Sequence, residues 1–254
     1  MKWFKKIIYG LFLSVLQNDA IKSNLWSINN RRPESTSILL YLPSDIQKEM
    51  YSIATRKTAE YLMEKFPNAY PFLSEELLLE SAVKKAMTDE KKGLFLEFGV
   101  FSGRTINIIA GNVEKEGIIV HGFDSFEGLP EDWNDTAKKG SFSMNGVLPI
   151  VNSNVKLHKG WFDESLPGFL KENTGKVSFL HIDSDLYSSA KTVLSLLKKQ
   201  IVPGTFILFD EYFNYPSFEQ NELKAFHEFL EETRFSCDCI GYDTCGFAAA
   251  FVIK

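Results

Sequence analysis

The stretch Leu94-Phe95-Leu96-Glu97-Phe98-Gly99-Val100-Phe101-Ser102-Gly103-Arg104-Thr105 leads from a mostly apolar run through two glycines four positions apart into a helical pattern. A strand that ends in a glycine turn and opens a helix is the first half of a βαβ unit. Glycine lets the backbone turn tightly and approach a ligand at the N–H-rich start of the helix. The next apolar run, GIIVHGFD (117–124), ends in Asp124, 27 positions after Glu97, where an acidic side chain can take both hydroxyls of a ribose. Together the two features point to an adenosine-bearing ligand. No third glycine completes G-x-G-x-x-G, which weakens a dinucleotide reading and with it a nicotinamide-dependent oxidoreductase.

Further short apolar runs follow: NVKLHKG (154–160), VSFLHID (177–183) and TFILFDE (205–211). Helical patterns separate most of them, beginning at Thr105, Ser188 and Phe218. Strands alternating with helices predict a mostly parallel sheet wrapped in helices. With late strands near RFSCDCIGY (234–242) and GFAAAFVIK (246–254), the count is about seven strands in a Rossmann-like α/β fold. Before Gly93 the chain reads as helices, from Ser44 to Phe66 and from Ser74 to Met87. This predicts an N-terminal helical extension over residues 1–90 and one α/β domain over residues 91–254. Residues 127–154 are long and turn-rich, as a lid or binding element would be. Trp133 and Phe142 within them suit either a cap over a sugar ring or a plain aromatic cluster.

The chain has 254 residues, 44% apolar and 24% charged, which excludes disordered and fibrous classes. Its net charge of −5 offers a phosphate backbone no bulk attraction, so nucleic acid is not an expected partner. Residues 1–60 nevertheless carry +4 and the remainder −9. At the N-terminus, Lys2, Lys5 and Lys6 precede an apolar run from Ile7 to Leu16 that is too short to span a bilayer. Three readings stay open for residues 1–20: a helix docked on the domain or on a second subunit, an interfacial membrane helix, and a cleaved signal. A homo-oligomer and peripheral membrane contact are the corresponding expectations. Cys237, Cys239 and Cys245 are too few and odd in number for a disulfide framework, which implies a reducing, cytoplasmic setting, at the inner membrane surface if the membrane reading holds. With no His among them, zinc is disfavoured.

One predicted strand ends in His181-Ile182-Asp183-Ser184-Asp185 and another in Phe209-Asp210-Glu211. Ligands bind beyond the carboxyl ends of such strands, and neighbouring strand ends lie about 5 Å apart. Four carboxylates at that spacing need raised pKa values or a cation. Oxygen-only donors favour Mg²⁺ or Mn²⁺ over zinc. Strand alternation turns neighbouring side chains to opposite faces, which favours packing or a hydrogen bond for His181 over catalysis.

The runs LEFGVFSGRT (96–105), GFDSFEGLP (122–130), KGWFDESLP (159–167), HIDSDLY (181–187) and PGTFILFDEY (203–212) resemble the macrocin O-methyltransferase (TylF-type) family of S-adenosylmethionine-dependent enzymes, in order and over roughly residues 90–235. The resemblance implies a class I methyltransferase fold with a divalent metal, acting on sugar hydroxyls of natural products or surface glycans. It assigns Glu97, Gly99, Phe101, Ser102 and Gly103 to the turn that holds the methionine part of the cofactor, and Asp124 to the ribose, with Ser125 and Phe126 beside it. It places Trp161, Phe162 and Asp163 near the adenine. Asp183, Asp210 and Glu211 become metal ligands, Asp183 also bordering the cofactor, and Asp185 the general base. Glu211 stands where some relatives have Asp. A non-catalytic module keeping the same fold is the rival from another class, though a decayed site would not need all four carboxylates.

Overall fold

The computed structural model describes residues 45–88, 93–134 and 137–254. The readings of residues 1–20 as a docked, interfacial or cleaved segment fall outside these residues. Among the described residues no helix is long and apolar enough to cross a membrane.

Strands β1 (Tyr70–Phe72), β2 (Leu94–Phe98), β3 (Val120–Asp124), β4 (Val155–Lys159), β5 (Val177–Ile182), β6 (Phe206–Phe209), β7 (Cys237–Asp243) and β8 (Ala249–Ile253) form one sheet in the order β1-β7-β8-β6-β5-β2-β3-β4. Helices α1 (Asp45–Lys65), α2 (Glu75–Ala86), α3 (Arg104–Val113), α4 (Phe162–Glu172), α5 (Tyr187–Leu196) and α6 (Glu222–Thr233) accompany it. Every described pairing is parallel except those of β8, which runs antiparallel to both β6 and β7. All six residues of β5 are buried, as a central strand covered on both faces requires.

The period-2 alternation of the strands divides the core into two layers. Leu96, Phe98, Leu180, Ile182 and Phe209 face one side, with Leu166 and Phe169 of α4, Val193 and Leu194 of α5 and Phe226 of α6. Phe95, Phe179 and Leu208 face the other, with Leu79 and Val83 of α2 and Ile106 and Ile109 of α3. On this second face Glu97, His181 and Asp210 follow the apolar residues of their strands by two positions. Polar chemistry thus begins where the hydrophobic layer ends.

Among the described residues the sheet has eight strands rather than about seven. The extra one is β1, a three-residue edge strand whose Tyr70 lies opposite Gly241. Pro71 within it masks the strand in sequence, since proline is tolerated in sheets only at edges. Helix α4 is also unanticipated, because Pro167 lies inside it. Residues 49–254 form one compact unit. Helix α2 belongs to that unit. Ser74 Oγ caps it by accepting from Leu77 N at 3.4 Å, acidic residues occupy its first turn and lysines its last. Its buried face of Leu78, Leu79, Ala82, Val83 and Ala86 lies on the sheet.

If α2 is integral to the core, Leu79→Ala lowers the unfolding free energy in urea by about 2–5 kcal/mol. A loss below about 1 kcal/mol, the scale of surface substitutions, would return α2 to the role of an appendage.

Candidate active site

The turn after β2 is built around Gly99, at φ +93°. A Cβ there would sit 1.6 Å from the carbonyl oxygen of Asp183, so the glycine admits the backbone of β5 rather than the ligand itself. Asp183 N in turn donates to Phe98 O at 2.8 Å. Gly103, at φ +85°, ends the turn and begins α3. Between them Phe101 holds φ +46°, and in the loop after β3 Phe126 holds φ +58°, both unfavourable for bulky side chains. Asp124 stabilises both. Its Oδ2 accepts from Val100 N at 2.9 Å and Phe101 N at 2.8 Å, and its Oδ1 accepts from Phe126 N at 2.7 Å. The residue assigned from sequence to the ribose is therefore already the tie between two loops, with one acceptor position of its carboxylate left over.

β5 and β6 are sheet neighbours, and one carboxylate oxygen from each of Asp183, Asp210 and Glu211 lies within 4.8 Å of the others. Asp210 Oδ1 and Glu211 Oε2 are buried without a hydrogen-bond partner. Burial first, and then the charges of Asp210 and Asp185, push the Asp183 carboxyl well above the usual range. Burial, then Asp210 and Asp183, does the same to Glu211. Asp185 sits beside them at φ +61°, a left-handed conformation that Asp tolerates better than most residues. Burial and the negative charge of Asp210 raise its pKa to about 7. Three convergent oxygen donors, two of them with an orphaned buried oxygen, and no nitrogen or sulfur among them fit a hard divalent cation.

A cleft of about 680 Å³ opens above this cluster. Gly99, Phe101, Asp124, Ser125 and Asp183 line one part of it, and Trp161, Phe162, Asp163, Asp185 and Glu211 another. Five of the expected site residues do not line it: Glu97, Ser102, Gly103, Phe126 and Asp210. Glu97 is fully buried, where its Oε1 accepts from the Thr105 hydroxyl and lies 3.3 Å from His181 Nδ1. An acidic residue at the end of a strand can serve the ligand or the floor, and here α3 folds over it. Burial lowers the His181 pKa, but the hydrogen bond to Glu97 and the charges of Glu97, Asp210 and Glu75 outweigh it and raise the pKa. Trp133 packs against Tyr215 at 6.0 Å and beside Leu129, Ala137 and Leu186, which is the plain-cluster arrangement. Phe142 lines the cleft and meets Phe101 edge-on at 6.1 Å.

One carboxylate at the cluster escaped the sequence reading. Glu222, in the first turn of α6, is fully buried; its Oε1 accepts from Ser184 N at 3.4 Å and its Oε2 from Glu211 N at 3.2 Å. Its position was readable: residues 222, 226 and 229 share one helical face, two of them phenylalanines, and an acid in that register is out of place unless it has a partner inside.

Two outcomes follow. Asp124→Asn sets an amide donor against a backbone N–H and lowers the unfolding free energy by about 1–3 kcal/mol in urea titration. An unchanged midpoint would mean the loops hold their strained conformations unaided. The folded chain keeps the Asp185 proton up to about pH 7, whereas the unfolded chain releases it near pH 4. The metal-free protein therefore loses stability from this group as pH rises through that window. Half-buried His121, His158 and His227, whose pKa values are lowered, act in the opposite sense. The informative comparison in EDTA is thus between wild type and Asp185→Asn: the variant loses less stability between pH 5 and pH 8, and equal losses would show that Asp185 ionises normally.

Known proteins resemble this chain in both sequence and fold. A profile of the family described as Macrocin-O-methyltransferase (TylF) matches residues 69–248. The 8-demethyl-8-(2,3-dimethoxy-alpha-L-rhamnosyl)-tetracenomycin-C 4'-O-methyltransferase of Streptomyces olivaceus is 27% identical over 155 residues, which are 53% of this chain and 58% of that protein. The chain thus spans less than two thirds of that relative's length. Among solved structures, the calicheamicin methyltransferase CalS11 superposes with a TM-score of 0.57 at 20% identity, over 88% of this chain and 99% of that one. The O-methyltransferase NovP gives 0.56 at 19% identity, over 70% and 79%. At such identities the likeness is one of fold, the class I methyltransferase fold. The family match runs from the residue before β1 to the residue before β8 and encloses the glycine turn, Asp124 and both acidic strand ends. Matched over most of its length, the chain belongs to the macrocin O-methyltransferase (TylF) family.

Proposed function

We propose that the chain is an S-adenosylmethionine-dependent O-methyltransferase that uses Mg²⁺ or Mn²⁺ and acts on a hydroxyl of a neutral sugar or glycosylated natural product. The observation that carries this reading is the convergence of the Asp183, Asp210 and Glu211 carboxylates within 4.8 Å, with Asp183 and Glu211 lining the cleft beside Asp185. S-adenosylmethionine supplies an electrophilic methyl group, and a divalent cation held by Asp183, Asp210 and Glu211 makes an acceptor hydroxyl more acidic.

The remaining work falls to the chain itself. Asp185 borders the same cleft and accepts the hydroxyl proton; a pKa pushed up toward neutrality suits a group that must take and then release it. The turn at Gly99 to Gly103, tied by Asp124, receives the cofactor beside the N-terminus of α3, while Trp161, Phe162 and Asp163 border it from the end of β4. Holding methyl donor and hydroxyl in line is the larger contribution to rate.

The charge of the cleft selects the acceptor. Its described lining carries six carboxylates, from Asp124, Asp163, Glu164, Asp183, Asp185 and Glu211, against one lysine, Lys139. Asp183 and Glu211 would be offset by the cation they hold, so the charge left to face an acceptor comes mainly from Asp124, Asp163 and Glu164 against Lys139, a modest preference for an acceptor without added negative charge. The rim agrees: no residue from 140 to 155 is charged, and Val147, Leu148 and Ile150 are exposed there, as an apolar aglycone would require.

Transfer of labelled methyl from S-adenosylmethionine to extract glycosides, with mass spectrometry of the product, tests the function. EDTA abolishes transfer and Mg²⁺ restores it; full activity in EDTA would remove the metal from the mechanism. Asp185→Asn retains S-adenosylhomocysteine affinity while turnover falls by about 10²–10⁴-fold. Near-normal turnover in that variant would place the base elsewhere. A protein that binds no S-adenosylhomocysteine would be the non-catalytic scaffold instead.

A further inference from the structure

The parallel ladder between β5 and β6 ends at the bond from Asp210 N to Ile182 O, 3.0 Å long. Beyond it the two chains part, one through Asp183, Ser184 and Asp185, the other through Glu211, and no further backbone hydrogen bond joins those residues to each other. The gap is crossed by a side chain. Glu222 reaches in from the start of α6 and accepts Ser184 N on one oxygen and Glu211 N on the other. We propose that Glu222 is a positioning residue that continues the ladder by one rung and sets the separation of the carboxylates of Asp183, Asp210 and Glu211. This rests on the reading of those three residues as the divalent cation site.

Three observations support the assignment. Glu222 has no exposed surface, and a carboxylate is not buried in a core without specific partners. Both its oxygens are engaged by backbone N–H groups, and it is not among the three carboxylates close enough to share one ion. The residues whose backbone it holds are Glu211 itself and Ser184, which lies between Asp183 and Asp185. A shift of either would move an acidic side chain at the cleft. An adjacent tie reinforces the Glu211 side, where the Tyr215 hydroxyl donates to Glu211 O at 3.1 Å.

The test uses the full chain, Mn²⁺ as probe by titration calorimetry, and the variants Glu222→Gln and Glu222→Asp. Glutamine is nearly isosteric but sets an amide donor against one backbone N–H. Aspartate keeps the carboxyl group but is one methylene too short to reach both loops. The expected result is a tenfold or greater weakening of Mn²⁺ binding in both variants and a fall in kcat. S-adenosylhomocysteine affinity in EDTA and the KM for S-adenosylmethionine should stay within about threefold of wild type. Mn²⁺ affinity within twofold of wild type in both variants would overturn the proposal. Wild-type affinity in Glu222→Asp alone would show that the carboxyl group and not its reach matters, which also overturns it. Loss of S-adenosylhomocysteine binding in step with Mn²⁺ binding would make Glu222 a general folding residue. A wild-type protein that binds no Mn²⁺ removes the cation site itself, and the proposal with it, by a result distinct from the others.

Discussion

Asp183, Asp185, Glu211 and Glu222 each have a carboxyl pKa raised by burial and by the charge of acidic neighbours, with Asp210 among the causes for all four. Groups that repel one another in this way separate unless the backbone beneath them is held from several directions. The strands below supply that restraint. β5 is buried along its whole length between β2 and β6, so the ends that carry the acids cannot relax outward without tearing the central ladder. The sheet is accordingly most rigid where its electrostatics are least favourable, as expected for a site whose charge is compensated by a ligand.

A second node of restraint lies on the cofactor side. Gly99 lets the turn after β2 lie against the Asp183 backbone, and Asp124 then clamps that turn to the loop after β3. The two nodes share Asp183, whose N–H is held by β2 and whose carboxylate belongs to the acidic cluster. The place where a sulfonium would sit and the place where an oxygen would lose its proton are thus referenced to one residue. For a reaction governed by the alignment of two atoms, this common reference matters more than the strength of any single contact.

Much of this was legible in the amino-acid sequence because it depends on local pattern. The run from Leu94 to Thr105 announces strand, glycine turn and helix, and the acids at the ends of β5 and β6 stand out because each follows an apolar strand. Contacts between distant segments were less legible. Glu97 reads as a residue of the cofactor turn, and nothing local to it announces that α3 brings the Thr105 hydroxyl onto its carboxylate. Asp124 looks committed to a ribose until the amides of Val100 and Phe101 are found on its carboxylate. Pro71 and Pro167 hid β1 and α4, since proline usually argues against a strand or a helix and the exceptions depend on an edge position and on tertiary packing. Glu222 stood in the register of a buried helical face, but the amides that satisfy it lie 11 and 38 residues away in sequence.

The connection between β3 and β4 has its own consequence. Its described residues form neither helix nor strand, and their ties include Met144 N and Gly146 N donating to Phe126 O, Asn107 holding both Ile150 O and Asn152 N, Lys159 Nζ donating to Gly146 O, and Asn154 Nδ2 donating to Ala110 O and Ile118 O. None of the carboxylates at the ends of β5 and β6 lies in this connection, and it contributes nothing to the central ladders. Between those ties the passage is exposed at Val147, Leu148 and Ile150, so its surface side chains can vary without disturbing the strand ends beneath. Evolution, or a designer, can therefore edit that surface as a patch separate from the acidic strand ends.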